Sequence, residues 1–553
     1  MTTPRLTWLH RAADPAGFCR AIFDIVAEEQ PFTARDAFVV VPTRAAADEL
    51  RRTLEQLAWD AGALALCLPL IGTRGDLLEE LARRLPDSLL PRLSGFDREV
   101  LLARAAREAR RSGVEPPFAV RPGLVAEMLA LYDALRRQLR GVARFEEFLA
   151  EELEASDDRG AVRMLAQTRF LAEAFRGYER RAAGSGRLDE HTLRDLLLST
   201  VPARPLQRVV ITVTDRVADP AGLWPADLDL LSRLPGLTRL DAVATETRLA
   251  GGWLERLHVE MPGIEERAVP GGEAGRPLCL VPDAEAWVFT SRDREDELAA
   301  FARRLKAERR AGRLTPASRV ALVVRRPLPY LYLAHDVLGR AGVPYETRDT
   351  LPLAAEPFAA VLDVLFEWIT SGFTRAATLA VLRSPHFRFV DGEVPLEGAA
   401  VVALDRALAD ARYLGDPERL KGLVATWSAL PERRRHEHAR RALPAARVAA
   451  IAAARLAALA TPQPVGTHVA ALMAFLAEYA RPLDDGDPLH SREARVRAAV
   501  TGACESLAAA YADFDADEAL DVTVVAAAVR RWLGAQTFAP PGGEGGVQIV
   551  DAA

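Results

Sequence analysis

Residues 38–43, Phe-Val-Val-Val-Pro-Thr, form the stretch that decides the fold class of this chain. The four apolar residues do not alternate with polar ones, so they predict a strand buried on both faces, which is typical of a parallel sheet. Leu50, Leu54 and Leu57 follow at the spacing of one face of a helix. Thr43 belongs to the residue types that cap helices. A buried strand followed by an amphipathic helix is the repeating unit of an α/β fold.

The same strand-then-helix unit recurs on both sides of long helical stretches. Residues 96–199 and 358–534 carry amphipathic helical periodicity and almost no strand pattern. Each of these stretches lies between strand patterns, so the simplest arrangement is a sheet domain interrupted by a helical insertion, and it occurs twice. The strand patterns are residues 6–9, 38–43, 64–68, 208–213, 240–244, 287–290, 320–325 and 547–550.

These patterns predict an α/β protein with two parallel-sheet domains, each with a large all-helical insertion. A Pro- and Gly-rich segment at residues 270–277 is predicted to be the interior linker. Because the last residues resume an apolar strand, we expect the chain to belong to a longer polypeptide. The predicted boundaries are 1–95 and 201–284 for the first sheet domain, 96–200 for its insertion, 285–357 for the second sheet domain, 358–540 for its insertion, and 541–553 for a linker and the return to the second sheet.

The composition limits the class of protein. Of the 553 residues, 50% are hydrophobic and 27% are charged, which are globular values that exclude wholesale disorder. Charges interrupt every apolar stretch before the roughly 18 residues of a membrane span, so no membrane association is predicted. The N-terminus has no apolar signal-peptide region, which predicts a cytoplasmic location. The four cysteines lie far apart and fit reduced thiols.

The basic residues restrict the possible chemistry. The chain has 71 lysine and arginine residues, of which only Lys306 and Lys421 are lysines. Any mechanism that needs a lysine therefore has two candidates. The formal net charge of −6 gives no overall attraction to nucleic acid, so contacts with a nucleic-acid backbone would have to come from local arginine surfaces.

The order of the patterns resembles the layout of UvrD-type superfamily 1 helicases. Residues 39–44 resemble the "PTR" segment that follows the nucleotide-binding loop, and residues 178–197 resemble the end of the first helical insertion. Residues 292–345 resemble the opening of the second motor domain, and residues 546–551 the strand at which such chains re-enter it. The resemblance covers essentially the whole chain. It is strongest to the AddB/RexB-type subunits of bacterial helicase–nucleases, which belong to the PD-(D/E)XK nuclease family.

This resemblance implies two RecA-like sheet domains, derived from P-loop NTPases, in a subunit that processes double-stranded DNA ends for recombinational repair. It implies DNA, single-stranded or as duplex ends, and an active helicase–nuclease subunit as partners. Thr43 and Arg44, and likewise Thr73 and Arg74, are predicted to contact the DNA backbone, since a helix N-terminus with a hydroxyl and a guanidinium suits phosphate. The alternative at both positions is a helix cap beside a solvated arginine.

The resemblance fails at the ATP site. A phosphate-binding loop needs several glycines, a lysine and a Ser or Thr, whereas residues 10–17 contain one glycine and no lysine. Asp215 matches the magnesium ligand of the family, but Arg216 stands where the water-activating carboxylate belongs. Arg325 matches the arginine that senses the γ-phosphate. Asp215 and Arg325 are thus predicted to be remnants of a degenerate ATP site. No cofactor or metal is predicted for this segment, and ATP and magnesium are implied only for the partner or the family.

No catalytic residue is predicted. The nuclease module of the family needs an acid two residues before a lysine, and Arg304 and Arg419 occupy those positions. The sequence therefore predicts a helicase-like, ATPase-inactive subunit. Two alternatives stay open: the DNA-recognition half of a full-length PD-(D/E)XK exodeoxyribonuclease whose catalytic domain lies beyond residue 553, and a scaffold that binds only protein. Whether the full-length protein is an enzyme is left open.

Other conspicuous residues have structural interpretations. The basic run at residues 433–441 is predicted to be a solvated helix face, although it could follow a nucleic-acid strand. Asp227 and Asp229 are predicted to be a helix cap and a surface charge, because residues two apart on a helix diverge. Five tryptophans are predicted to be core residues: Trp8, Trp59, Trp224, Trp287 and Trp532.

Overall fold

The computed structural model divides the chain into two compact units. The N-terminal unit comprises Met1–Ser94, Ala105–Phe118 and Met128–Cys279, and the C-terminal unit comprises Gly95–Arg104, Ala119–Glu127 and Leu280–Ala553. Asp215, Arg216 and Trp287 lie outside the described residues. The structure describes residues 5–28, 34–63, 66–85, 90–155, 158–213, 222–271, 291–312, 317, 320–325, 327–347, 351–429, 437–484, 486, 490–538 and 545–551.

A six-stranded parallel sheet organises the N-terminal unit, in the order β3-β2-β4-β5-β1-β6. The predicted α/β class with a parallel sheet is confirmed. In this sheet β4 and β5 lie between β1 and β2, whereas the Rossmann order 3-2-1-4-5-6 places strands 1 and 2 side by side. The strands are β1 Leu6–Ala12, β2 Ala37–Val40, β3 Leu70–Gly72, β4 Arg208–Val213, β5 Arg239–Thr245 and β6 Glu265–Val269.

All four residues of β2 are buried, as the unalternating apolar run predicts. Val39 packs into a cluster with residues of the helices that follow β1 and β2, such as Ile22 and Leu54. Phe38 and Val40 pack into a different cluster, formed with helices from later in the chain. Successive side chains of a strand point to opposite faces, so both faces of the sheet are covered by helices.

The third strand differs from its prediction. Residues 64–68 were predicted as the strand, but β3 begins at Leu70, directly after Pro69. Leu66 and Leu68 instead pack, partly buried, against the cluster that contains Val39. Their apolar character therefore serves helix–sheet packing, and a hydrophobic pattern alone does not distinguish that use from strand pairing.

Every regular element described between Arg74 and Ser199 is a helix. The helices up to residue 260 are α1 Pro15–Ala27, α2 Arg44–Asp60, α3 Arg74–Arg83, α4 Gly95–Arg111, α5 Pro122–Arg137, α6 Val142–Glu154, α7 Arg159–Gly184, α8 Glu190–Ser199, α9 Pro225–Arg233, α10 Glu246–Arg248 and α11 Leu254–Glu260, with a π turn at Leu249–Trp253 and a 3₁₀ turn at Ala34–Asp36.

The C-terminal unit contains a three-stranded parallel sheet in the order β7-β15-β8. Its last strand, β15, pairs with both others, so residues 547–551 join the sheet formed by residues 321–347. Gly546 precedes this strand at φ 127°, and a Cβ there would lie 2.1 Å from the Pro344 carbonyl oxygen, so only glycine fits. The strands are β7 Ala321–Val324, β8 Tyr345–Thr347, β9 Leu351–Pro352, β10 Val390–Asp391, β11 Val394–Pro395, β12 Gln463–Pro464, β13 Ala519–Leu520, β14 Thr537–Phe538 and β15 Val547–Asp551.

Most of the C-terminal unit is helical, around one large apolar core that includes the fully buried Trp368 and Phe475. Residues 433–436 of the predicted basic run lie outside the described part of the chain. The helices are α12 Arg294–Arg310, α13 Pro327–Arg340, α14 Ala360–Thr370, α15 Arg375–Arg383, α16 Gly398–Asp410, α17 Pro417–Ala429, α18 Glu437–Leu456, α19 Val465–Tyr479, α20 His490–Phe514 and α21 Val522–Ala535, with 3₁₀ turns at Leu353–Ala355, Pro357–Ala359 and Ala457–Ala460.

One helical stretch among the described residues, Ala439–Ala460, is long and apolar enough to cross a membrane by length and composition. It includes α18 from Ala439 onwards, and Ala445, Ala449, Ala452 and Leu456 of this helix are fully buried in the core of the C-terminal unit. A core helix of a globular unit passes the same test, and 56% of the apolar window is buried inside the protein.

Candidate nucleic-acid interface

Three helices of the N-terminal unit begin at the carboxyl edge of the six-stranded sheet. α1, α2 and α3 each follow a strand of this sheet, and the carboxyl ends of parallel strands lie at one edge. Their first turns are capped by Asp14, Thr43 and Thr73 respectively. This edge therefore carries three helix N-termini, each with backbone N–H groups that favour a negative charge.

Thr43 and Arg44 lie at the end of β2, beside the end of β3. Thr43 Oγ1 accepts a hydrogen bond from the Ala46 N–H at 3.1 Å, so the hydroxyl is a helix cap, as the sequence predicts. The Arg44 side chain is 88% exposed, and its one described ion pair is with Asp76 Oδ1, at 3.8 Å. A surface pair of this length contributes little to stability, so the Arg44 guanidinium can turn towards an added anion at little cost.

Thr73 forms a reciprocal cap with Asp76 at the start of α3. The Thr73 N–H and hydroxyl both donate to Asp76 Oδ2 at 2.8 Å, and Thr73 Oγ1 accepts from the Asp76 N–H at 3.4 Å. Partial burial acts to raise the pKa of Asp76, but the two hydrogen bonds from Thr73 and the charge of Arg44 outweigh it and lower that pKa. Asp76 is thus a carboxylate that caps α3 and lies close to the exposed Arg44.

Arg74 is placed differently from Arg44. Its side chain is only 16% exposed, its Nε–H donates to Asp227 Oδ2 at 2.7 Å, and a terminal nitrogen donates to Glu190 Oε1 at 2.5 Å. Burial acts to lower the pKa of Arg74, but Asp227 and Glu190 raise it well above its ordinary value. The guanidinium therefore joins α3 to α8 and α9, and it would have to leave two carboxylates to reach a phosphate.

Glu190 extends this network to α5. Arg137 donates to both of its carboxylate oxygens, at 3.0 and 2.9 Å. Burial acts to raise the pKa of Glu190, but Arg137 and Arg74 lower it far below the ordinary value. We call the set Arg74, Arg137, Glu190 and Asp227 the Arg74 network. Sequence reasoning found Arg74 and Asp227 but not that they meet, and it did not single out Arg137 or Glu190.

The position predicted for a degenerate phosphate-binding loop is occupied by a short connection. β1 runs to Ala12 and α1 begins at Pro15, so only Ala13 and Asp14 join them. Asp14 Oδ1 accepts a hydrogen bond from the Gly17 N–H at 2.7 Å. A carboxylate thus lies at the helix N-terminus, where a phosphate-binding loop would present N–H groups to a phosphate, and like charge would repel a triphosphate there.

Of the other two predicted ATP-site remnants, only Arg325 belongs to the described residues. Arg325 is exposed and directly follows β7 in the C-terminal unit. Asp215 belongs to residues 214–221, which lie outside the described part of the chain, so its role stays a prediction.

Asp227 and Asp229 diverge, as predicted. Asp227 accepts a hydrogen bond from the Trp224 N–H at 2.8 Å, which caps α9, and it also belongs to the Arg74 network. Asp229 is ion-paired with Arg194 and, at 3.6 Å, with Arg233. They are not a pair of catalytic carboxylates.

The prediction that Trp59 is a core residue is wrong. Trp59 lies on α2 and is 80% exposed. Leu50 and Leu54 lie on the buried face of this helix, and Trp59 lies on the opposite face. By contrast, Trp8 is half-buried between the guanidinium groups of Arg239 and Arg267, whose carbons lie 4.1 and 3.3 Å from its ring centre. Trp224 and Trp532 are also half-buried.

A second charged cluster, which sequence reasoning missed, lies inside the sheet. Asp241 on β5 is fully buried and binds His10 Nε2 at 2.9 Å, Arg208 Nε at 2.8 Å and Arg239 Nε at 3.2 Å. We call these four residues the Asp241 cluster. The sequence does contain a sign of this cluster, because an acidic residue within the apolar strand 240–244 needs buried hydrogen-bond or ion-pair partners. The strand pattern does not say which residues those partners are.

The carboxyl edge thus offers hydroxyls, helix N-termini and an exposed guanidinium, which suit a phosphodiester backbone and do not read base sequence. Within the described ranges, no group of three or more His, Cys, Asp or Glu side chains is placed to hold a metal ion. Comparison with known proteins assigns no family: no protein-family model matches the chain, and no curated protein matches it.

Proposed function

We propose that this chain is a helicase-like DNA-binding subunit without an ATP site of its own. In this proposal both units are RecA-like domains with helical insertions, and the subunit acts in the cytoplasm with an active helicase–nuclease partner on double-stranded DNA ends. The carboxyl edge of the six-stranded sheet binds the DNA backbone, and the partner subunit hydrolyses ATP. Binding is directed to phosphates, tolerates any sequence and weakens with salt.

The connection between β1 and α1 is the observation that carries the proposal. Two residues replace the glycine-rich loop, and Asp14 occupies the N-terminus of α1 with its own carboxylate. The backbone at Pro270 also lies against the start of α1, since a Cβ added to Gly17 would be 3.0 Å from the Pro270 carbonyl oxygen. A parallel α/β sheet normally binds its ligand at this edge. Here the phosphate loop is missing, but the N-termini of α2 and α3 are intact. This combination favours an edge that binds a phosphate-bearing ligand other than ATP.

We predict that the purified chain has no DNA-stimulated ATPase activity. The N-terminal unit contains no lysine that could bind the β/γ-phosphates, and the Asp14 carboxylate repels them. Phosphate release is measured with and without single-stranded DNA, and the Asp215→Ala variant serves as the control for contaminating enzymes. Turnover that rises with DNA and disappears in Asp215→Ala would contradict the proposal.

We predict that Arg44→Gln weakens binding to single-stranded DNA roughly three- to tenfold at moderate salt. Loss of one phosphate contact should also reduce the slope of log K against log salt concentration by about 0.7. Fluorescence anisotropy at several salt concentrations measures both quantities. The matched control is Arg51→Gln, which removes the same charge about 10 Å further along α2, where Arg51 pairs with Asp48.

The control and the wild type decide between the proposal and its rivals. Equal weakening in Arg44→Gln and Arg51→Gln would show that only net charge matters and would reject a specific edge. A flat anisotropy response of the wild type at micromolar concentration would favour the scaffold that binds only protein. DNA binding together with acid–x–lysine motifs in sequence beyond residue 553 would favour the nuclease alternative.

A further inference from the structure

A basic cavity lies where α5 ends and α6 begins. Its volume is about 140 Å³, and it is lined mainly by three arginines, Arg136, Arg140 and Arg194, with His191 at its side. All of these residues belong to the N-terminal unit. The sequence did not single out any of them, because they come from α5, from the connection that follows it and from α8, about 50 residues further along the chain.

The backbone between the two helices shapes this cavity. α5 ends with hydrogen bonds from the Leu139 N–H to the Arg136 carbonyl at 3.0 Å and from the Arg140 N–H to the Leu135 carbonyl at 2.8 Å. Leu139 adopts φ 58°, the left-handed conformation that glycine usually takes at the end of a helix. The Leu135 and Arg136 carbonyls at the end of α5 are therefore already bonded to backbone N–H groups, and the Arg140 side chain is not needed to cap them.

Gly141, which also lines this cavity, is the capping residue that precedes α6. It has no side chain with which to cap the first N–H groups of this 13-residue helix. Those groups are a partial positive charge next to three guanidinium groups, so the cavity combines two independent sources of attraction for an anion.

Two of the three arginines at the cavity have carboxylate partners, and Arg140 is the one that is available to bind an anion. Arg136 lies 3.7 Å from Glu179, and Arg194 is held by Asp195 at 3.3 Å and by Asp229. Asp195 also lines the cavity, with 62% of its side chain exposed. Arg140 is exposed and has no ion-pair partner among the residues that the structure describes. One guanidinium at this cavity is thus uncompensated, which fits an anion of low charge.

The cavity is joined to the Arg74 network through the first turn of α8. His191 lines the cavity, and the preceding residue, Glu190, binds Arg74 and Arg137. Arg74 begins α3 at the carboxyl edge, and Arg137 neighbours Arg136 in α5. The same first turn of α8 therefore supports the edge that carries Arg44 and the wall of the cavity.

We propose that this cavity binds a phosphate group, and that in DNA binding it takes a backbone phosphate of the strand held at the carboxyl edge. The role of the cavity in DNA binding rests on the proposed function. Arg140 supplies the charge, the N-terminus of α6 supplies N–H donors, and Arg136 and Arg194 form the walls.

The experiment compares Arg140→Gln with Arg180→Gln in the 553-residue chain. Arg180 is an exposed arginine of α7 that pairs with Glu173, so its replacement removes the same charge elsewhere in the unit. The DNA arm measures single-stranded DNA affinity by anisotropy against salt concentration. The phosphate arm measures the thermal unfolding midpoint in inorganic phosphate and in sodium chloride at equal ionic strength.

We expect Arg140→Gln to weaken DNA binding roughly three- to tenfold, to reduce the salt slope by about 0.7, and to abolish the rise of the unfolding midpoint in phosphate. Arg180→Gln should match the wild type in both arms. The unfolding midpoint of Arg140→Gln in chloride should equal that of the wild type, because the side chain is exposed.

Wild-type DNA affinity in Arg140→Gln, with Arg44→Gln still weakened, overturns the DNA role of the cavity and leaves the proposed function standing. If wild-type protein does not bind DNA, the proposed function fails, and a phosphate response that Arg140→Gln abolishes then identifies free phosphate as the source of the ligand. No phosphate response in the wild type and unchanged DNA affinity in Arg140→Gln overturn the inference entirely.

Discussion

Replacing Asp241 with asparagine is expected to lower the free energy of unfolding of the N-terminal unit by about 3–5 kcal/mol. The Asp241 carboxylate is fully buried, and it is the shared partner of His10, Arg208 and Arg239. Asparagine keeps the shape of the side chain but removes its charge, so it leaves the buried Arg208 guanidinium without its closest counter-charge. An uncompensated buried charge costs far more than a surface pair contributes.

The pH dependence of this effect has a defined sign. Burial acts to raise the pKa of Asp241, but the hydrogen bond from His10 and the charges of Arg208 and Arg239 lower it below its ordinary value. A lowered pKa in the folded state means that the stabilisation is fully present above the unfolded-state pKa of about 3.9 and is lost as the pH falls through the folded-state value. The difference between wild type and Asp241→Asn should therefore shrink as the pH falls below about 4.

Urea unfolding followed by circular dichroism at several pH values measures this difference. Glu79→Gln is the matched control, since Glu79 is an exposed acid on α3 of the same unit, and its replacement should change the free energy of unfolding by less than about 0.5 kcal/mol. An Asp241→Asn variant as stable as Glu79→Gln at pH 7 would show that the cluster does not stabilise the sheet.

The second large effect is expected from Glu190→Gln, which should lower the free energy of unfolding of the same unit by about 3 kcal/mol. Glu190 is 16% exposed and accepts hydrogen bonds from Arg74 and Arg137. Loss of its charge leaves Arg137 without its described partner and Arg74 with Asp227 alone. Because Arg74 fixes the start of α3 against α8 and α9, this loss should loosen the support of the carboxyl edge.

The matched control for Glu190 is Glu173→Gln. Glu173 also faces two arginines, since it accepts a hydrogen bond from Arg180 at 3.1 Å and lies 3.7 Å from Arg176, but its side chain is 34% exposed. Its replacement should cost less than about 1 kcal/mol, as exposed pairs do. Urea unfolding at pH 7 compares the two variants, and equal losses would refute the claim that burial makes the Arg74 network strong. Since the pKa of Glu190 is lowered in the folded state, its contribution should be present above the unfolded-state pKa of about 4.3 and should be lost progressively as the pH falls from there towards the folded-state value.

Much of the local structure could be predicted because it depends on short-range patterns. The buried run at residues 38–41 and the Thr43 cap gave a correct strand and a correct helix start, since both reflect neighbours a few residues apart. The third strand was misplaced by a few residues, because Leu66 and Leu68 pack, partly buried, against the cluster that contains Val39 before the chain enters the sheet at Leu70. Trp59 was misjudged because a single aromatic residue on a helix does not reveal which side meets the core.

The candidate site was predicted only in part. Thr43, Arg44, Thr73 and Arg74 could be proposed from the sequence because a threonine followed by an arginine at the start of a helix suits a phosphate group. Their different roles could not be predicted. Arg44 is 88% exposed and Arg74 is 16% exposed, yet both are the first residue of a helix after a capping threonine.

By itself, the sequence determined the α/β class, the alternation of sheet and helical stretches, and the lack of the lysine and glycines of a phosphate loop. These are properties of residue type and of spacing within one or two turns. Only the tertiary structure decided the strand order, the exposure of Trp59, the Arg140 cavity and the partners of Arg74. Those partners lie 116 and 153 residues away in the chain, and an ion pair over such a separation is set by how helices pack on the sheet, which no local pattern encodes.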